Sequence, residues 1–102
     1  MTPPDYLNET QSQIWVGYAE NFPTLLEKDP ELLTAFSQAA GNVQDMQRII
    51  NEQGLVMVNA RGFPAQHPLL QILKGYNREK TILADKIRKK HKPVKQKEDG
   101  YE

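Results

Sequence analysis

The chain contains no cysteine, and this absence excludes several kinds of structure at once. Without thiols it forms no disulfide bond, no cysteine-based zinc site and no thiol nucleophile. It also has no apolar run approaching the ~20 residues that a membrane-spanning helix requires. Residues 1–6 have neither a basic nor an apolar region, so we expect no signal peptide. Together these absences suit a protein of the cytoplasm that does not enter a membrane.

Positive charge is scarce in the first 73 residues, which carry three basic side chains against eight acidic ones. Residues 74–102 reverse this balance, with ten basic and five acidic side chains, so the net charge of zero conceals a basic end. Such asymmetry indicates an anionic partner, and contact with DNA phosphates would be independent of sequence and sensitive to salt. An equally good interpretation is a solvated helix end, where cations are favoured by the helix dipole. The candidate DNA-binding residues are Lys86, Arg88, Lys89, Lys90, Lys92, Lys95 and Lys97.

Capping and turn signals predict a mainly α protein with three helices, at about 9–21, 30–53 and 68–91. Asn8 and Gln11 have the spacing of a reciprocal capping box at the first helix. Asp29-Pro30 is a strong start for the second helix, and Gly54 is suited to end it. Between the two long helices, the short β-branched run at 55–58 and the turn residues at 59–64 indicate a β-hairpin-like excursion. The long helices should therefore be antiparallel. We expect one domain at 1–91 and a disordered charged tail at 92–102.

Apolar residues recur at heptad spacing along both long helices and form two apolar seams. One interpretation is that the seams pack on each other within one chain. The other is that they exceed what one chain can cover and so favour self-association, and both can hold at once. Gly41 within the first seam indicates a close approach of another helix. The candidate oligomerisation residues are Leu32, Phe36, Val43, Met46, Ile50, Leu69, Leu73, Tyr76 and Leu83.

The sequence offers little that would support catalysis. His67 and His91 are the only histidines. We expect His67 to serve a cap or turn at the start of the last helix, and His91 to be a solvated residue within the basic run. The carboxylates are scattered, without the spacing of an acid–base pair or a metal cage. We therefore predict a protein that is not an enzyme and needs neither metal nor cofactor.

Several short motifs resemble the small subunits of bacteriophage terminases. The lead-in at 3–7, Ile14-Trp15 and the acid at Asp29 are similar to that family. The most specific part is the order helix, Gly-Leu-Val, turn, His-Pro, helix, carried by Glu52-Gln53-Gly54-Leu55-Val56 and Gln66-His67-Pro68-Leu69. The resemblance spans about residues 3–90.

This resemblance implies a ring-forming, non-catalytic subunit in the bacterial host cytoplasm. Such a subunit binds double-stranded viral DNA at the packaging initiation site and recruits or regulates the large terminase subunit. Relatives usually carry a longer basic N-terminal arm, whereas here the basic residues are C-terminal, so we expect DNA contact at 86–97. Two alternatives remain open: a small helical adaptor that binds only protein, and a dimeric DNA-binding regulator.

Overall fold

The computed structural model describes residues 2–54, 56–58 and 60–94. These residues form four helices and two short strands, in the order α1 (Glu9–Asn21), α2 (Pro23–Lys28), α3 (Pro30–Gln53), β1 (Val56–Val58), β2 (Pro64–Gln66) and α4 (Leu69–Lys90). The predicted mainly helical class is confirmed. The predicted number of three helices is wrong for the described part of the chain, since α2 is a separate fourth helix.

The additional helix begins at Pro23, in the segment between the first two predicted helices, where no helix was predicted. Proline is well tolerated in the first turn of a helix, because its missing N–H has no intrahelical partner there. The chain bends at Phe22, whose backbone angles (φ −128°, ψ 78°) are not helical, and α2 begins at once with Pro23. The bend buries both Phe22 and Leu25. The chain therefore changes direction at Pro23, and the bend places Phe22 and Leu25 in the core.

The predicted capping box at the start of α1 is confirmed. The Gln11 backbone N–H donates to Asn8 Oδ1 at 2.8 Å, and the Asn8 backbone N–H donates to Gln11 Oε1 at 3.0 Å. Gln11 also lies where α1 crosses α3. A Cβ atom at Gly41 would overlap the Gln11 side chain and lie 3.2 Å from the Gln11 Cα. The close approach expected at Gly41 is therefore confirmed, and α1 is the helix that approaches.

The two long helices, α3 and α4, pack against each other along their lengths, and α1 packs against α3. Contacts between the end of α3 and the start of α4, and between the start of α3 and the end of α4, make the pair antiparallel. The main core lies where α1 and α2 cover this pair. It consists of Leu7, Trp15, Ala19, Phe22, Leu25, Leu33, Phe36, Ala40 and Ile87.

The connection between α3 and α4 is a small antiparallel hairpin. Gly54 follows α3 with a positive φ of 91°, and Gly62 adopts a φ of 85° within the turn. In the hairpin, Val56 pairs with Gln66 and Val58 pairs with Pro64. Both glycines occupy backbone conformations that residues with a Cβ atom rarely adopt.

The molecule is elongated, with extents of 58 × 35 × 22 Å and a radius of gyration of 17.2 Å. A compact domain of this length has a radius of gyration of about 13 Å. We call residues 7–41 and 80–94 the proximal half, and residues 42–54, 56–58 and 60–79 the distal arm. Of the buried hydrophobic residues that the structure describes, only Val43 and Ile50 lie in the distal arm.

Candidate nucleic-acid interface

The basic residues predicted to contact DNA lie at the C-terminal end of α4 and just beyond it. Five of the seven are within the described residues, and all five are exposed: Lys86, Arg88, Lys89, Lys90 and Lys92. The remaining two, Lys95 and Lys97, lie outside the described residues, as does most of the tail predicted to be disordered. We call the five described cations the basic end of α4.

Two carboxylates accompany these cations. Asp85 accepts from Arg88 Nη2 at 3.3 Å and lies 3.2 Å from Lys89 Nζ, while Lys90 Nζ lies 3.8 Å from Asp29 Oδ2. The cationic side chains in these pairs remain 60–76% exposed. Exposed pairs of this kind are weak and are readily exchanged for other partners. The basic end of α4 therefore keeps an excess of positive charge that remains available to phosphate groups.

His91 contradicts its predicted role as a solvated residue, because it is only 6% exposed. Its Nε2 lies 2.8 Å from Asp29 Oδ2, and its Nδ1 lies 2.8 Å from Thr24 Oγ1. A carboxylate can only accept, so Nε2 carries a hydrogen; in the neutral ring, Nδ1 then accepts from the Thr24 hydroxyl. The hydrogen bond from His91, supported by the charge of Lys90, holds the pKa of Asp29 below its usual value of 3.8, against a smaller opposing effect of burial.

Asp29 accordingly differs from the sequence expectation in one respect. It occupies the N-cap position of α3, as predicted, but its side chain makes no capping hydrogen bond. Its carboxylate instead turns to His91 and Lys90. The sequence therefore predicted the position of the α3 start correctly. The orientation of the Asp29 side chain is set by its contact with His91, which is distant in sequence.

The chain remains attached to the proximal half after α4 ends. His91 has an extended backbone (φ −135°, ψ 148°), and the Val94 N–H donates to the carbonyl of Asn21 at 2.8 Å. Val94 is thus attached to the last residue of α1, and the predicted boundary between the domain and a disordered tail, after residue 91, stays a prediction. Lys92 is held between these two points of attachment.

Two further cations on α4 lie in the distal arm and were not among the predicted contacts. Lys74 and Arg78 are both exposed, and their spacing of four places them on one side of the helix. Lys89 is eleven residues after Arg78, close to three full turns, and so lies on the same side. The sequence contains this helical spacing, but a search for dense clusters of basic residues along the chain does not find Lys74 and Arg78.

The residues predicted to mediate self-association divide into two groups. Phe36, Val43 and Ile50 are buried within the single chain, with exposed fractions of 2%, 6% and 2%. In this conformation they pack inside one chain and present no surface to a second copy. The others are half-buried: Leu32, Met46, Leu69, Leu73, Tyr76 and Leu83. Ile72 and Ile82 on α4 are about half exposed and were not among the predicted set.

His67 has the capping role expected for it. Its Nδ1 accepts from the Leu69 N–H at 3.1 Å in the first turn of α4, so in the neutral ring Nε2 carries the hydrogen and donates to Gln53 Oε1 at 2.6 Å. The ring is buried and joins the end of α3 to the start of α4. Both histidines therefore serve tertiary hydrogen bonds, one at each end of α4.

Other features of the described residues give little support to chemistry at a site. No group of three or more His, Cys, Asp or Glu in these residues has an arrangement that would hold a metal ion. No helix among them is long and apolar enough to cross a bilayer. Thr24, His91 and Asp29 share the residue types of a hydrolytic triad. However, four surface grooves of about 250–490 Å³ on the described residues are lined by other side chains.

Comparison with family models, with curated proteins and with solved structures found no match to this chain.

Proposed function

We propose that this chain is a phage terminase small subunit, a non-catalytic component that binds double-stranded DNA and assists its packaging. The observation that carries the proposal is the basic end of α4, where five cations are exposed together and, within the part of the chain that the structure describes, pair with two carboxylates, Asp29 and Asp85. The motif resemblance supports the proposed role in viral DNA packaging. The exposed positive charge supports the proposed binding to DNA phosphates.

The basic end of α4 is suited to phosphates more than to base edges. Lysine predominates among its cations, and lysine acts as a flexible point charge without the fixed fork of arginine. Each phosphate that a cation neutralises releases condensed counterions from the duplex, so binding falls steeply as salt rises. We therefore propose binding that depends little on sequence. Selection of a packaging site would then require several subunits or the large terminase.

The proposal includes a ring of identical chains in the host cytoplasm, with the large terminase subunit as protein partner. Support comes from the elongated shape and from the half-buried apolar residues of the distal arm. Within that arm, the predicted residues that stay partly exposed and can reach a neighbouring copy are Leu69, Leu73 and Tyr76 on α4 and Met46 on α3, and Ile72 beside them is 48% exposed. Contact with a neighbour there would cover apolar surface that one chain leaves in water.

The DNA proposal is tested by titrating the protein into duplex DNA at several salt concentrations. The variant to compare with wild type is Lys86→Gln with Lys92→Gln, because neither lysine takes part in an ion pair within the described residues. Loss of two phosphate contacts should reduce the slope of log affinity against log salt by about two. The matched control, Arg48→Gln with Arg61→Gln, removes the same charge from the distal arm and should change the slope much less.

Light scattering with and without duplex DNA separates the proposal from its alternatives. The proposal predicts an assembly larger than a dimer that binds duplex at low salt. A protein-binding adaptor would show no affinity for duplex even at low salt. A dimeric regulator would remain a dimer and prefer particular DNA sequences. A stable monomer that ignores DNA would contradict the proposal.

A further inference from the structure

We infer that His91, held between Thr24 and Asp29, is a positioning residue that fixes the basic end of α4 as a preformed phosphate-binding surface. The inference rests on the proposed function, because it concerns how the same cations are presented to DNA. It assigns a role to three residues that contact no phosphate themselves. It also makes α2 and the start of α3 part of the DNA-binding apparatus.

The first step is the completeness of the His91 network. Both ring nitrogens are used, at 2.8 Å each, and the ring is 6% exposed. Rotation of the ring would break both hydrogen bonds and leave a buried polar group without a partner, which is costly. Thr24 is in α2, whereas Asp29 lies between α2 and α3. The ring therefore attaches the end of α4 to two different elements.

The second step is the position of this attachment within the basic sequence. Lys90 and Lys92 are the immediate neighbours of His91, and the chain is held again at Val94 by the Asn21 carbonyl. The last turn of a helix leaves carbonyl groups without intrahelical partners and frays readily unless it is held. Cations on a fixed backbone lose less conformational freedom when they meet phosphates, which favours binding.

The third step is the charge of Asp29. A carboxylate 3.8 Å from Lys90 Nζ lowers the local positive potential, so on charge alone it opposes DNA binding. The hydrogen bond that Asp29 accepts from His91 instead favours DNA binding, because it holds the basic end of α4 in place. Replacing the carboxylate of Asp29 by an amide removes its charge and exchanges the charge-assisted hydrogen bond from His91 for a weaker neutral one, so the two accounts predict effects of opposite sign. If charge alone matters, the Asp29→Asn variant binds DNA more tightly; if positioning dominates, it binds more weakly.

The experiment measures duplex DNA binding by Asp29→Asn and Thr24→Val in the full chain, at a temperature where both variants are folded by circular dichroism. The matched control is Glu31→Gln, which removes an exposed carboxylate two residues after Asp29. We expect each network variant to bind about fivefold more weakly, the factor carried by one ordinary hydrogen bond. Their salt slopes should fall by about one, because fewer cations reach phosphates together. The control should bind as tightly as wild type, or slightly more tightly.

Hydrogen exchange at the Val94 amide measures, without DNA, how firmly the chain after α4 is held against the end of α1. This amide should exchange faster in both network variants and at the wild-type rate in the control. Unchanged exchange, or tighter DNA binding by Asp29→Asn, would overturn the inference. If the wild type binds duplex DNA and both network variants bind it with the same affinity, the inference is wrong but the proposed function is not contradicted. Absence of duplex binding by the wild type would overturn the proposed function, and this inference with it.

Discussion

The two ends of α4 are each fastened to α3 by a buried histidine, but by different chemistry. At the distal end, His67 bonds to the neutral amide of Gln53 and to a backbone N–H in its own helix. At the proximal end, His91 bonds to the carboxylate of Asp29 and to Thr24. The distal contact joins residues 14 positions apart, on either side of the β1–β2 hairpin. The proximal contact joins residues more than sixty positions apart and brings an acid among the cations.

The packing around the two ends of α4 also differs, because more apolar surface is buried at the proximal end than at the distal end. In the proximal half, α1 and α2 cover the α3–α4 pair and bury a cluster that includes Trp15, Phe36 and Ile87. In the distal arm α1 contacts α3 only near Asn42 and Asp45 within the described residues. The described hydrophobic residues buried there are Val43 and Ile50 of α3, while Ile72 of α4 remains 48% exposed. Similar apolar seams therefore give a deep core where a third helix is present and a shallow contact where none is.

The largest difference between the two regions is expected on truncating a large apolar side chain. Phe36→Ala removes a fully buried ring from the proximal cluster and should lower the free energy of unfolding by about 3–5 kcal/mol. Ile72→Ala removes a half-exposed side chain from the distal arm and should cost no more than about 1 kcal/mol. Chemical denaturation at low protein concentration, where association is minimal, measures both. Equal losses would contradict the assignment of the core to the proximal half.

Much of the fold was predictable because its signals are local. Asn8, Pro30 and Gly54 mark helix boundaries through hydrogen bonds and backbone angles that involve only their neighbours. The division of the apolar seams was not predictable in this way, since Phe36 and Met46 lie on the same apolar seam, at its two alternating heptad positions, and both are large apolar residues. Their different burial depends on where α1 lies. The position of α1 depends in turn on the bend at Phe22, which lies between the first two predicted helices.

A smaller difference is expected on adding a methyl group to a glycine in each region. Gly41→Ala places a Cβ against Gln11 where α1 crosses α3, so overpacking should cost about 1–3 kcal/mol, offset by about 1 kcal/mol of better helix propensity. Gly75→Ala, on the distal part of α4, meets nothing within 4 Å and should stabilise by up to about 1 kcal/mol. Thermal unfolding of the two variants should therefore move in opposite directions. A stabilised Gly41→Ala variant would show that the crossing is looser than the structure has it.

The candidate site was predictable in its charge but not in its geometry. Consecutive cations at 86–97 are visible in the sequence, and the five within the described residues are exposed. The role of His91 was missed because its neighbours in sequence are cations, whereas its partners, Thr24 and Asp29, are distant in sequence and carry no signal of their own. Only the packing of α2 against the end of α4 brings the three together.

The smallest difference is expected from acid, and it should be confined to the proximal end. Asp29 has a folded-state pKa below 3.8, chiefly through the hydrogen bond from His91, whereas the unfolded chain should show the ordinary value. The folded state therefore binds fewer protons than the unfolded state in this range. The resulting stabilisation is complete above the unfolded pKa and is lost as pH falls through the folded one. Because Asp29 is 32% exposed, solvent screening keeps the effect modest.

The measurement is the free energy of unfolding between about pH 5 and pH 2, compared between wild type and two variants. Asp29→Asn removes the titrating group, so the loss of stability with acid should be less steep than in wild type. His91→Leu has no donor for Asp29, so it removes the main cause of the lowered pKa and should reduce the slope by a large part of the same amount. Gln53→Ala breaks the contact of His67 at the distal end and should leave the acid slope at its wild-type value, because no carboxylate takes part there. If Gln53→Ala flattened the slope as much as Asp29→Asn, the acid sensitivity could not be assigned to the charged contact, and the distinction between the two ends of α4 would fail.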